Sequence, residues 1–315
     1  MESPIRSLHH VTATVDAAQA DLDFYARLLG LRLIKRTVNF DNHNVYHFYY
    51  GNTTGAPGTI MTTFPYQGMG VPVGRHGAGQ ITVTAFSAPA GALGYWERRL
   101  AERGMEVRER APRFGEEGLI VRDPSGLVVE LVGTVRDERA PWVSGPDGPG
   151  KDAAIRGIHG VTLTIRDPAR SLELLTQVLG FRVDHEAANR TRLAVGAGGP
   201  GAQLEIVRAL DAPAAVNGLG TVHHVAFAVP DADTQLRMRA ELVRLGLQVT
   251  EVMDRQYFRS IYFREPGGVL FEIATVPPGF TVDETPEDLG QALKLPPWEE
   301  PNRPTIEAKL PRVRA

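Results

Sequence analysis

The side chains best suited to chemistry in this sequence are two adjacent-histidine pairs, His9-His10 and His223-His224, and three glutamates set singly into apolar runs, Glu130, Glu205 and Glu272. A lone carboxylate in an apolar run is costly unless it is neutralised or coordinates a cation. Imidazole nitrogens and carboxylate oxygens together are ligands for divalent first-row metals. The chain has nine His and no Cys. That count excludes disulfides, iron–sulfur clusters, thiolate zinc sites and a cysteine nucleophile. Any metal must be held by histidine nitrogen and by carboxylate or carbonyl oxygen.

These residues sit in a repeated frame. The run Leu8-His9-His10-Val11-Thr12-Ala13-Thr14-Val15 returns as Ile158-His159-Gly160-Val161-Thr162-Leu163-Thr164-Ile165 and as Val222-His223-His224-Val225-Ala226-Phe227-Ala228-Val229. A weaker copy is Gln80-Ile81-Thr82-Val83-Thr84-Ala85-Phe86. Each is β-rich and of strand length. Each leads into a helical pattern that stops at Gly30, Gly104, Gly180 or Gly246, the residue that accepts a left-handed conformation at a helix end. Further β-rich runs follow, so the unit reads β-α-β-β-β and the chain reads as four such modules of α+β class. Copies one and three enter their last strand through Gly55-Ala56-Pro57-Gly58 and Gly198-Gly199-Pro200-Gly201. Copies two and four enter theirs through Asp123-Pro124-Ser125-Gly126 and Glu265-Pro266-Gly267-Gly268. A two-module half is therefore duplicated. Residues 1–135 hold modules one and two, 136–154 form a linker, 155–276 hold modules three and four, and 277–315 form a charged, proline-rich tail.

The repeats select among the candidate ligands. His9, His159 and His223 share one first-strand position, and the next position holds His10, Gly160 and His224. Copy three keeps the first histidine without the second, so the first column reads as buried, hydrogen-bonded histidine. Strand neighbours point to opposite faces, so His10 and His224 are expected to face away from that column. The last strands place Glu130, Glu205 and Glu272 in copies two, three and four, whereas copy one has Met61-Thr62-Thr63 there. Only copies one and four together supply two histidines and a carboxylate: His10, His224 and Glu272. Two imidazoles and one carboxylate with open positions form the facial triad of non-haem Fe(II) oxygenases. Glu130 and Glu205 are expected to be structural. His43, His47, His76 and His185 are expected in loops or at strand ends, not as ligands. The competing reading makes the triad residues core histidines.

With these residues in view, the sequence resembles the vicinal-oxygen-chelate superfamily, which includes glyoxalase I, extradiol ring-cleaving dioxygenases and antibiotic-binding proteins. Within it, the hydroquinone ring-cleaving dioxygenases are the nearer match. That match rests on Leu8-His9-His10-Val11-Thr12, Tyr46-His47-Phe48-Tyr49-Tyr50-Gly51-Asn52, Gly55-Ala56-Pro57-Gly58-Thr59 and Val222-His223-His224-Val225-Ala226-Phe227. In the tail it rests on Leu289-Gly290-Gln291-Ala292-Leu293-Lys294-Leu295-Pro296-Pro297, Glu299, Arg303 and Leu310-Pro311. The resemblance implies four βαβββ modules forming two open β-barrel-like domains. It implies His10, His224 and Glu272 as ligands of Fe(II), with Mn(II), Zn(II) or Ni(II) as alternatives. It also implies Arg255 and Tyr262 as active-site residues, Thr12 beside His10, and His9 and His223 near the site. The expected partners are a small aromatic diol and O2.

Two rivals share the fold. A glyoxalase-type isomerase or lyase would, as the family implies, use a second Glu that copy one lacks. A non-enzymatic protein binding an aromatic ligand would commonly have lost the metal ligands. The net charge of −3 argues against a nucleic-acid partner, which needs a basic excess. No apolar run approaches a membrane span, and Met1-Glu2-Ser3-Pro4-Ile5-Arg6 is unlike a signal peptide, so a cytoplasmic protein is expected. Copies one and four are expected to share one barrel and copies two and three a metal-free one. Whether the first pairing forms within a chain or across a swapped dimer in a homo-oligomer stays open.

Overall fold

The structure, a computed structural model, describes residues 3–314; the ends of the expected first module and tail at 1, 2 and 315 lie outside the described residues. Module one contributes β1 (Ser7–Val15), α1 (Ala18–Leu22), β2 (Arg32–Asn39), β3 (Asn42–Gly51) and β4 (Ile60–Pro65). Module two contributes β5 (Gln80–Pro89), α2 (Leu93–Glu102), β6 (Arg108–Arg113), β7 (Glu116–Arg122) and β8 (Val128–Thr134). Module three contributes β9 (Gly157–Ile165), α3 (Ala169–Glu173), β10 (Arg182–Ala187), β11 (Arg190–Ala194) and β12 (Gln203–Arg208). Module four contributes β13 (Thr221–Val229), α4 (Ala232–Arg244), β14 (Met253–Asp254), β15 (Arg259–Arg264) and β16 (Leu270–Thr275). The helices of modules one and three pass into π-helical turns, Asp23–Leu28 and Leu174–Val178, before their glycines. Gly30, Gly104, Gly180 and Gly246 have φ of 72, 74, 74 and 84°, the left-handed stop the sequence predicts.

Two eight-stranded mixed sheets result, in the orders β14-β15-β16-β13-β1-β4-β3-β2 and β10-β11-β12-β9-β5-β8-β7-β6. Each sheet takes one module from each half of the chain. The first joins modules one and four within a single chain, and the second joins modules two and three. Inside a module the first and last strands run parallel side by side. This leaves the first strand as an open edge, which the partner module covers antiparallel, β1 on β13 and β5 on β9. Each of these seams is bulged. The register steps over His9 and His223 in the first sheet, and over Thr82 and His159 in the second.

The other edge of the first sheet is covered too. The tail runs along β2, with a parallel bridge from Leu293 to Arg36, and its helix α5 (Arg303–Lys309) packs on β3. Lys35, fully buried in β2, donates to Asp283 (2.7 Å), to Glu284 and to the Phe280 carbonyl (3.1 Å). Tail residues Phe280 and Leu289 join Ile34, Tyr49, Tyr257 and Phe258 in one apolar cluster.

Behind the first sheet, α1 buries the carboxyl of Asp21, which accepts from Tyr50 Oη (2.6 Å) and Thr63 Oγ1 (2.5 Å) at one oxygen and has no partner at the other. Burial raises its pKa to about 7. Its unfolded value is near 3.8, so the native state holds the extra proton, and this contribution to stability is full below about pH 4 and lost as pH rises through 7. Asp21→Asn should therefore flatten the fall in melting temperature between pH 5 and pH 8, measured on both proteins by scanning calorimetry or circular dichroism. Parallel pH profiles would contradict the assignment.

Candidate metal centre

The seam between β1 and β13 brings His10 and His224 together, and β16 supplies Glu272 beside them through the parallel pairing of Ala226 with Glu272. The three ligand atoms lie within 4.8 Å of one another. His10 Nε2 is 3.2 Å from His224 Nε2 and 3.2 Å from Glu272 Oε2, and His224 Nε2 is 2.8 Å from the same oxygen. All three side chains are buried.

The electrostatics suit a cation. Burial alone would raise the Glu272 pKa, but the two imidazoles outweigh it and hold the carboxyl well below the usual range. Burial lowers the pKa of His224 as well. Glu272 Oε1 accepts from Ser260 Oγ, while Oε2, facing the two Nε2 atoms, takes no well-formed hydrogen bond. A buried carboxylate with one orphaned oxygen between two imidazoles fits a divalent metal ion.

The expected alternation at the histidine pairs does not hold, because the bulges re-aim the side chains. His9 Nδ1 lies 2.8 Å from His10 Nδ1, and His223 Nδ1 lies 2.7 Å from His224 Nδ1. Burial first, and then the adjacent imidazole, push His9 and His223 down to about 3, so both are neutral. A neutral ring can accept the Nδ1–H of its neighbour, the tautomer that frees Nε2 of His10 and His224 for a metal. In module three the equivalent His159 bonds Glu116 Oε1 instead, at 2.9 Å. A Cβ at Gly160 would come within 2.9 Å of the Gln203 carbonyl oxygen, so a second histidine has no room there.

The triad opens on a cavity of about 410 Å³ walled by Phe40, Tyr49, Phe64, Phe258 and Leu270. Tyr262 pairs with Glu272 across β15 and β16, and its ring stands 5.6 Å from that of His224. Arg255 Nε donates to Tyr262 Oη at 3.2 Å. His223 lines the cavity, whereas His9 and Thr12 are buried and are not among its lining residues. Thr12 Oγ1 is 2.8 Å from Thr62 Oγ1, and His47 Nε2 is 3.0 Å from that same oxygen. His47 corrects an expectation: it sits inside β3 and lines the cavity, with Tyr49 Oη 2.9 Å from its Nδ1. The alternation His47, Tyr49 along β3 is the signal that could have put it there. His43 lies at the start of β3 and His76 in a loop, bonded to the Gly220 carbonyl, both as expected, whereas His185 lies within β10.

Glu130 and Glu205 occupy the register position of Glu272 in the second sheet, opposite Ala85 and Thr162. There the charges are neutralised by arginine. Arg110 and Arg113 bind Glu130, and Arg190 and Arg192 bind Glu205.

A family profile described as the Glyoxalase/Bleomycin resistance protein/Dioxygenase superfamily matches residues 7–131 and 157–273. MhqE of Bacillus subtilis, which carries the provisional name of a ring-cleaving dioxygenase, is 43% identical over 97% of this chain and 98% of its own. The chlorohydroquinone/hydroquinone 1,2-dioxygenase of Sphingobium indicum is 38% identical over 93% of this chain and 92% of its own. The crystal structure of a provisionally named dioxygenase from Bacillus subtilis superposes with a TM-score of 0.94 at 39% identity, covering 100% of this chain and 99% of that one. Glyoxalase I from Zea mays shares the fold, with a TM-score of 0.62 at 16% identity over 86% of this chain and 92% of that one.

The two sheets should respond differently to loss of a glutamate. Glu130→Gln strands buried guanidinium charge and should cost about 3 kcal/mol, read as a lower denaturant midpoint, with metal content unchanged. Glu272→Gln should abolish stoichiometric divalent-metal binding measured by elemental analysis. Retained metal in Glu272→Gln would refute the assignment of the centre.

Proposed function

The chain belongs to the Glyoxalase/Bleomycin resistance protein/Dioxygenase superfamily, and on that premise we propose that it is an Fe(II)-dependent ring-cleaving dioxygenase that opens a hydroquinone-type aromatic diol with O2. The observation that carries this is the buried His10, His224, Glu272 set at the base of an aromatic-walled cavity. An uncrowded set of two imidazoles and one carboxylate leaves positions for both substrates. Fe(II), when bound by these three residues, would supply Lewis acidity toward a substrate hydroxyl and the redox capacity for O2.

The rest of the work falls to the chain's own groups. Phe258, Tyr49 and Phe64 form an apolar slot that orients a flat ring and excludes water, which strengthens every electrostatic contact within. Tyr262 Oη, accepting from Arg255 Nε, has its own proton to donate to a substrate oxygen, and Arg255 stabilises negative charge that develops there. The neutral imidazole of His223 lines the cavity, and with Nδ1 facing His224 its Nε2–H can donate to a substrate oxygen. His9 acts through His10, and Thr12 through Thr62 and His47; both position rather than react. In module one, Thr62 stands at the register position Glu272 holds in module four, opposite Thr12. A hydroxyl bonded to Thr12 and His47 is no fourth carboxylate ligand, which weighs against the glyoxalase-type isomerase.

Protein loaded anaerobically with Fe(II) should consume O2 on adding hydroquinone and yield a ring-opened acid, followed by oxygen electrode and mass spectrometry. Absence of uptake with hydroquinones and catechols would sink the proposal, and activity with Zn(II) or Ni(II) and no O2 uptake would favour the isomerase. Tyr262→Phe and Arg255→Gln should each lower kcat by roughly 10- to 100-fold while retaining the metal.

A further inference from the structure

Charge is scarce on the cavity wall, and what there is has been cancelled. Among the described lining residues one side chain is a permanent cation, Arg255, and one a permanent carboxylate, Asp41. Arg255 Nη2 donates to Asp41 Oδ2 at 3.0 Å and Nη1 to Asp41 Oδ1 at 3.3 Å. The guanidinium fork is thus closed in a two-point pair, the geometry by which arginine also recognises a carboxylate on a ligand. Asp41 lies in the turn between β2 and β3 of module one, and Arg255 follows β14 of module four, so the pair spans the rim where the two modules face each other. Asp41 is 62% exposed and Arg255 15%. A pair this exposed adds little to stability, so its place at the mouth asks for another account.

The second sheet offers the comparison. Arg113 precedes the positive-φ residue Phe114 of its turn as Arg255 precedes the positive-φ residue Gln256. Arg113 reaches into its own cup and binds Glu130 through both Nη atoms. Arg255 is held at the rim instead, by Asp41 and Tyr262.

We propose that Asp41 is a specificity-determining residue: it occupies the guanidinium fork of Arg255 and so restricts the cavity to uncharged diols, excluding rings that bear a carboxylate. Two effects act together. The fork is unavailable to a substrate anion, and the Asp41 carboxylate repels one at the entrance. This rests on the assignment of the cavity to an aromatic diol.

The test compares hydroquinone with 2,5-dihydroxybenzoate, the same para-diol carrying one carboxylate, on the Fe(II)-loaded wild type, Asp41→Asn and Asp41→Ser. The kcat/KM ratio should favour hydroquinone in the wild type and narrow by about tenfold or more in both variants as the anionic diol gains. Adding Arg255→Gln to Asp41→Asn should remove that gain. An unchanged ratio in both Asp41 variants, or a gain that survives loss of Arg255, overturns the proposal. A parallel anaerobic titration of 2,5-dihydroxybenzoate separates this from the assignment of the reaction. If no diol supports O2 uptake, the dioxygenase assignment fails, while tighter binding to Asp41→Asn than to wild type still supports the role of Asp41 and equal binding still refutes it.

Discussion

Where β1 meets β13, two strands from opposite ends of the chain pair antiparallel, and each carries one extra residue, His9 on one and His223 on the other. That seam is what the site depends on. It sets His10 beside His224 across 214 residues of sequence, a separation whose closure entropy is tolerable because it grows only logarithmically with loop length. The bulges then turn each pair so that the first ring can accept from the second. A flat ladder would have sent His9 and His10 to opposite faces and left Nδ1 of His10 without this partner. The fold therefore places both the candidate ligands and the rings that can accept from them with a single irregularity used twice.

The second sheet repeats the same register with a different electrostatic outcome. Glu130, Glu205 and Glu272 stand opposite Ala85, Thr162 and Ala226, which are equivalent positions. Burying a carboxylate demands compensation, and the chain uses two kinds. Around Glu130 and Glu205, guanidinium groups fill the cup. Around Glu272, two imidazoles and Ser260 approach and no guanidinium does, which leaves one carboxylate oxygen without a hydrogen bond. The difference between a structural cup and a candidate metal centre is thus made by the cations of neighbouring strands, Arg110, Arg113, Arg190 and Arg192, rather than by the glutamates themselves.

Much of this was legible in the chain. The repeats carried the four modules, and counting ligand types by module isolated His10, His224 and Glu272, because each repeat acts as a control for the others. The bulges were not legible: a strand run with one extra residue has the same composition as one without it, and only the partner strand reveals the step. His47 was missed for a different reason: it was expected in a loop or at a strand end, whereas only its place inside β3 lets the alternation with Tyr49 set both on one face. Arg255 and Tyr262 are ordinary residues of a turn and a strand when read from spacing alone, and resemblance singled them out. Asp41 carried no signal at all, because its partner is 214 residues away.

The tail was the least legible part and bears on the site most indirectly. Charge and proline mark the stretch as a tail but do not say where it docks, and it supplies Asp283 and Glu284 to a lysine that β2 has buried completely. A buried ammonium is strongly unfavourable unless paired, so the lysine commits the tail to this position. Docking the tail seats Phe280 on Tyr257 and Tyr49, with ring centroids 5.2 Å apart in each case. Phe280 also borders Phe258, and Phe258 packs on His9 at 4.9 Å and His10 at 5.2 Å. The rings that flank the candidate ligands are therefore backed by a segment held by charge pairing rather than by sheet hydrogen bonds alone. Two carboxylates of the tail and one lysine of β2 thereby determine how firmly the floor of the cavity is fixed beneath the histidines.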